Sequence, residues 1–144
     1  MLRFHAMLSE EWSAQAAVDD VLDQFQPAGF VPDAAFVFLS SAHRDEAETI
    51  MSLLAEAMGF RVIIGCCAEA VIGPGREAEN APGLAVLAAA LPGVHLHPFH
   101  IGRDDWRKLL ADDDELRRRV GVDGRTRGVI GLADPHSTPV SPFL

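Results

Sequence analysis

The sequence has few cysteines, a single lysine and no long apolar run, and each shortage closes off a class of protein. The longest apolar runs, such as Leu84 to Leu91, stop well short of the roughly 20 residues a bilayer span needs, so no transmembrane helix is expected. The first residues lack a charged stretch followed by an apolar one, so no secretory signal is expected and the default location is the cytoplasm. The two cysteines, Cys66 and Cys67, are neighbours, and the geometry of a disulfide is strained across one peptide bond. They therefore read as reduced thiols in a reducing compartment, with no disulfide framework. The single lysine, Lys108, stands beside eleven arginines, a bias that reflects genomic base composition rather than function.

What is present fits one globular domain. Of 144 residues, 49% are hydrophobic and 23% charged, which excludes a largely disordered chain. The formal charge of −9 is unevenly spread: residues 1 to 60 hold ten acids against Arg3 and Arg44, whereas residues 101 to 144 balance eight against eight. An acidic domain is a poor ligand for nucleic acid or anionic membrane, because phosphate contacts need clustered cations. The exception, Arg117, Arg118, Arg119, Arg125 and Arg127, is offset by Asp112, Asp113, Asp114 and Glu115 and reads as a solvated helix end.

Hydrophobic periodicity predicts an α/β fold, a mixed sheet flanked by helices. Met1 to Met7 alternates like a short strand; Ser9 offers an N-cap to a helix carrying Ala14, Val18, Val21, Leu22 and Phe25, ended by Pro27 and Gly29. Asp33 opens the apolar run Ala34 to Leu39. A helix with Ala47, Ile50, Met51, Leu54 and Met58 follows, stopped by Gly59, and Arg61 to Cys66 is a second apolar strand. Residues 33 to 66 thus read as a βαβ unit joining parallel strands. Residues 67 to 83 break the pattern with Gly73, Pro74, Gly75, Pro82 and Gly83. Leu84 to Leu91 and Val94 to Ile101, separated by Pro92-Gly93, are expected to form a hairpin. A helix from Asp104 to Val120, stopped by Gly121, and a last strand Gly128 to Ala133 complete a further α-β unit. Ser141-Pro142 has the form of a helix start two residues before the end, so the chain reads as part of a longer domain.

Several groups of residues could carry chemistry. Gly73-Pro74-Gly75-Arg76 matches neither a Walker loop nor a dinucleotide fingerprint, and Glu77 to Ala81 is too short for a phosphate-cradling helix, so the glycines read as a turn. Gly65-Cys66-Cys67 ends a predicted strand, where open α/β sheets place ligands. A Cys66 thiolate enzyme would need a base, and His43, His95, His97, His100 and His136 lie on other segments that could supply one; the alternative is a pair of small buried residues. His95, His97 and His100 form an H-x-H-x-x-H run whose first two members would share a strand face, suited to a metal completed by Cys66, Cys67 or Glu69, or simply a polar face. One of these histidines could be an axial haem ligand, although a C-x-x-C-H motif is absent. Arg76, Glu77 and Glu79 stand in a loop that could orient a small polar ligand.

The order of these motifs is familiar. Phe38-Leu39-Ser40-Ser41, then Val62-Ile63-Ile64-Gly65-Cys66, then Ala70-Val71-Ile72-Gly73-Pro74-Gly75-Arg76-Glu77-Ala78-Glu79, then Leu91-Pro92-Gly93-Val94 with Pro98-Phe99-His100, and finally Leu132-Ala133-Asp134-Pro135 resemble the N-terminal part of the FIST N domain. The resemblance implies a bacterial or archaeal cytoplasmic sensory module that binds small molecules such as amino acids. It implies a FIST C domain as companion and an output partner such as a histidine kinase, chemotaxis receptor or cyclic-dinucleotide enzyme. Some relatives are haem proteins that sense nitric oxide. The family's Gly-Cys-Ser or Gly-Cys-Thr run is here Gly65-Cys66-Cys67, so a hydroxyl at position 67 is lost.

The expectation is therefore a sensory domain and not an enzyme, without cofactor, its ligand held by Gly65, Cys66, Glu69, Gly73, Gly75, Arg76 and Glu77. Backbone N–H groups at Gly73 and Gly75 and the Arg76 guanidinium would take a carboxylate; Glu77 or Glu69 would take an ammonium. The alternatives are a haem or metal sensor using His95, His97 or His100, and a Cys66-dependent enzyme.

Overall fold

In the computed structural model, which describes residues 1–139, six strands and four α-helices form an α/β fold. The chain divides into two units, Met1–Val94 and a second from His95 on.

The first unit holds β1 (Arg3–Ser9), β2 (Ala34–Ser40), β3 (Val62–Ala68) and β6 (Leu84–Ala90), ordered β1-β6-β2-β3 in one mixed sheet. β2 and β3 are parallel, joined through α2 (Ala47–Met58), so the expected βαβ unit is present. β6 runs antiparallel to both β1 and β2. The amphipathic helices α1 (Ala14–Phe25) and α2 lay Val18, Val21, Ile50 and Leu54 on Met7, Val37, Leu39 and Val86. Each such buried aliphatic side chain stabilises the fold by about 1.5–3 kcal/mol. The N-cap of α1 is Ser13, whose Oγ accepts from Ala16 N–H at 3.2 Å, and not Ser9, because Ser9 still pairs with Leu84 as the end of β1. Gly59 ends α2 in the left-handed conformation, as expected of a glycine stop.

Residues 67 to 83 are more regular than their punctuation suggests. β4 (Ala70–Gly73) and β5 (Arg76–Glu79) form a tight hairpin around Pro74-Gly75. Its Val71 and Ala78 pack with Leu8, Ala85 and Phe38. In β2, Phe38 alternates with Val37 and Leu39, so the hairpin covers the sheet face opposite the helices. The hairpin that follows the βαβ unit is thus β4–β5. The expected pairing of Leu84–Leu91 with Val94–Ile101 is not found: β6 has both edges occupied by β1 and β2, and residues 94–101 form no strand. Asp33 gathers the starts of β2 and β3 and the end of β6. Its carboxylate accepts from Leu91 N–H at 2.7 Å and Arg61 at 2.8 Å, and its carbonyl accepts from Val62 N–H at 3.2 Å.

In the second unit the expected helix from Asp104 to Val120 is two, α3 (Trp106–Leu109) and α4 (Asp113–Val120). The break falls where Asp112 caps α4, its Oδ1 accepting from Asp114 and Glu115 N–H at 3.1 Å. Asp105 accepts from Gly102 N–H at 3.0 Å and lies 3.3 Å from Arg119, and the two hold its carboxyl below its ordinary range, the Gly102 bond most strongly. Gly128–Ala133 forms no strand, which corrects the expected last strand; among the described residues no strand pairs its amides. Asp134-Pro135 makes a turn in which the Asp134 carboxylate accepts from His136 N–H at 2.9 Å. Ser141-Pro142 lies outside the described residues. No described helix is long and apolar enough to cross a membrane.

Candidate functional site

The parallel pair β2–β3 defines an end of the sheet where its strands present their carboxyl termini, the position at which α/β sheets take ligands. In register there are Ser40 on β2 and Ala68 on β3, with Glu69 next in chain. After Ser40 the backbone enters a 3₁₀ segment, Ser41–Glu46, that leads directly into α2. Two polar side chains here are buried without a hydrogen-bond partner among the described residues. Ser40 Oγ is one; the other is the His43 imidazole, 0% exposed, with neither Nδ1 nor Nε2 bonded. The nearest charge to His43 is the Glu46 carboxylate, 4.0 Å from Nδ1 and itself half exposed. Burying a polar group unsatisfied costs about 1–3 kcal/mol, so two such groups within four residues need an explanation. Serine offers one donor and two acceptor sites, and neutral imidazole one of each, which suits a small polar molecule.

The hairpin roofs this position. A Cβ on Gly83 would lie 2.5 Å from Val71 Cγ2, 3.0 Å from Ala78 Cβ and 3.6 Å from Ser40 Cβ, so the missing side chain lets β4–β5 settle against Ser40. Gly83 also accepts the Ser40 N–H at 2.8 Å.

The residues named from the sequence fall into separate places. Gly65 lies mid-strand on β3, where a Cβ would stand 1.9 Å from the Val37 carbonyl oxygen; its smallness serves strand pairing. Cys66 and Cys67 are exposed free thiols that alternate to opposite faces, so the two cannot chelate one ion together. Gly73 packs flat on Leu8, with 2.3 Å between a built Cβ and Leu8 Cβ, and Gly75 takes φ 73° at the open hairpin turn. Arg76 Nη2 donates to Leu8 O at 3.1 Å, with Nη1 3.8 Å from Glu10, so the guanidinium ties the hairpin to the end of β1. Glu77 is exposed opposite Ile72, and Glu69 is exposed beyond β3. His95, His97 and His100 are exposed on an irregular segment, so the shared strand face that would pair the first two does not form. No group of three or more potential metal ligands occurs among the described residues. Exposed histidines without apolar walls around them do not fit a haem.

A family model, the FIST N domain, matches residues 33–144. The chain belongs to the FIST N domain family. No curated protein and no solved structure matches it. The match begins at Asp33, the residue that ties the start of β2 to the end of β6, and takes in Ser40, His43, β3 and the hairpin. It omits β1 and α1, although β1 completes the sheet beside β6 and Leu8 receives Arg76. In this FIST N domain the sequence reading put the ligand at the end of β3 and did not name Ser40 as a site residue. His43 entered only as one of five possible bases. The available signal was local: a serine and a histidine three residues apart directly after a wholly apolar strand.

Proposed function

We propose that this FIST N domain is the ligand-sensing part of a signalling protein, and that it holds a small polar molecule at the carboxyl ends of β2 and β3, with Ser40 and His43 as the groups that bond it. The observation that carries the reading is the buried, partnerless state of Ser40 Oγ and both His43 ring nitrogens. The family, one of sensory modules, supports the sensory role. In this reading the ligand is an amino acid, whose ammonium would pair with Glu46, the carboxylate 4.0 Å from His43 Nδ1. The output partner in this reading is a FIST C-type domain or a signalling protein such as a histidine kinase or cyclic-dinucleotide enzyme.

The test is calorimetry with the twenty L-amino acids on the wild type and on Ser40→Ala, His43→Leu and Arg76→Ala. A net hydrogen bond is worth about 0.5–1.5 kcal/mol, so Ser40→Ala should weaken a binder about 2–12-fold and His43→Leu at least as much. Arg76→Ala should weaken it less than Ser40→Ala does, because that guanidinium is already bonded to Leu8 O and acts only by tying down the hairpin. The reverse pattern, loss with Arg76→Ala alone, would place the ligand at the hairpin instead.

A further inference from the structure

The segment between β2 and α2 carries three departures from ordinary helix geometry. It is a 3₁₀ run of six residues, Ser41–Glu46, whereas such runs rarely exceed three or four. Its junction with α2 is Glu46 at φ −106°, ψ 6°, in the sparsely populated bridge region. Ser40, finally, has the extended backbone of an N-cap, φ −68°, ψ 164°, yet its hydroxyl caps nothing.

One rearrangement relieves all three. If Ser41–Glu46 wound as α-helix, α2 would run unbroken from Ser41 to Met58 and Glu46 would leave the bridge region. Ser40 would become its N-cap, with Oγ accepting from the N–H of Ala42 or His43. The imidazole would also leave its present position. A 3₁₀-helix turns about 120° and rises about 2.0 Å per residue, an α-helix about 100° and 1.5 Å. Over the four steps from Ala47 back to His43, the side chain would rotate by about 80° around the axis of α2 and shift by about 2 Å along it. Winding six residues as α-helix shortens the segment by about 3 Å, so the end of β2 at Ser40 and the N-terminal end of α2 must draw together while Ile50, Leu54 and Met58 stay on the core.

We propose that residues 41–46 are a two-state switch: a polar ligand that bonds Ser40 and His43 holds the 3₁₀ form, and without it the segment winds into α2. The proposal rests on the ligand reading above, because the ligand is what satisfies the two side chains in the 3₁₀ form. Occupancy is then read out as the length and rotation of the N-terminal end of α2, without any hinge between domains. The ligand stabilises the 3₁₀ form only through its differential affinity for it, as any such switch requires.

The experiment is NMR on the full chain, with ¹³Cα and ¹³C′ secondary shifts and relaxation dispersion at residues 41–47. The free wild type should show α-type shifts or exchange between two forms there. Ser40→Ala removes both a partnerless hydroxyl and the α-form cap, and His43→Leu replaces the partnerless ring with an apolar group of buried character. Each should return the segment to the 3₁₀ form and reduce the α population at least about tenfold; Ser40→Ala serves if His43→Leu does not fold. Identical shifts and no exchange in all three proteins would overturn the switch. Binding of an amino acid from the panel without any change at 41–47 would overturn the switch and leave the ligand reading standing. Quenched exchange in the variants, with no amino acid bound by the wild type, would uphold the two-state segment and remove the proposed ligand class.

Discussion

Gly65 separates a packing role from a binding role, and Gly65→Ala measures which it has. The added Cβ would stand 1.9 Å from Val37 O and 2.9 Å from Val37 C, so β3 must withdraw from β2 by about 1.5 Å to restore ordinary contact. A parallel ladder opened that far loses about two backbone hydrogen bonds, each worth about 1 kcal/mol net. The half-buried Ile63 beside the core loses part of its contact as well. The stiffer unfolded chain returns about 0.4–1 kcal/mol, which leaves a net loss of about 2–3 kcal/mol. With a urea slope of about 1–3 kcal/mol/M, the midpoint should fall by about 0.7–3 M. Far-UV circular dichroism during urea titration is the assay, since strand and helix loss both report there. A midpoint within about 0.3 M of wild type would refute the reasoning, and would return Gly65 to the residues that make room for a ligand.

Two further outcomes follow from side-chain contacts. Asp33→Ala should cost about 1.5–3 kcal/mol in the same titration, because the Leu91 amide loses a charged acceptor at 2.7 Å. Arg61→Ala should cost under about 1 kcal/mol, since that arginine is largely exposed; equal losses would mean that the ion pair, and not the amide, matters. Asp105 has its carboxyl held below its ordinary value near 3.8 by the Gly102 N–H and, after burial is set against it, by Arg119. A depressed carboxylate stabilises the folded state above its unfolded pKa, and that contribution fades as pH falls through the folded value. Asp105→Asn should therefore flatten the acid limb of stability below about pH 4 and leave higher pH dependence unchanged, as read by thermal melts across pH 2–6.

The sequence was most legible where one force decides the outcome. Periodic apolar positions marked α1 and α2 because each helix buries one stripe against the same sheet face, and Gly59 and Gly121 marked stops because both take left-handed backbone. The apolar run Ala34 to Leu39 marked the first strand of the βαβ unit, and its unbroken apolarity suits a strand that helices cover on one face and the hairpin on the other. Pairing partners were not legible. Pro92-Gly93 looks like a hairpin turn only if the strand before it has a free edge, and nothing local shows that β1, some 80 residues earlier, occupies that edge. The hairpin β4–β5 was hidden for a related reason: its four-residue strands carry Arg76, Glu77 and Glu79, and only Val71 and Ala78 face the core. Residues of the candidate site were half legible. Position at a strand end follows from the βαβ pattern, but the buried, partnerless state of Ser40 and His43 exists only in the folded chain.

The same geometry explains why Arg76, the most conspicuous charge of the loop, is a poor anchor for a ligand. β1 is an edge strand, and an edge strand exposes backbone groups that invite another chain. At Leu8 those groups are taken. Its N–H donates to Gln24 Oε1 at 3.2 Å, and its carbonyl accepts from Gln24 Nε2 at 3.0 Å and from Arg76 Nη2 at 3.1 Å. Helix α1 and the hairpin thus close the edge from two sides, and both lone pairs of the carbonyl are used. Recruiting Arg76 to a ligand carboxylate would reopen that edge and loosen the hairpin that covers Ser40. A ligand at Ser40 and His43 carries no such cost, because it satisfies groups that have no other partner. The difference favours the strand end of β2 over the hairpin loop as the place where this domain senses.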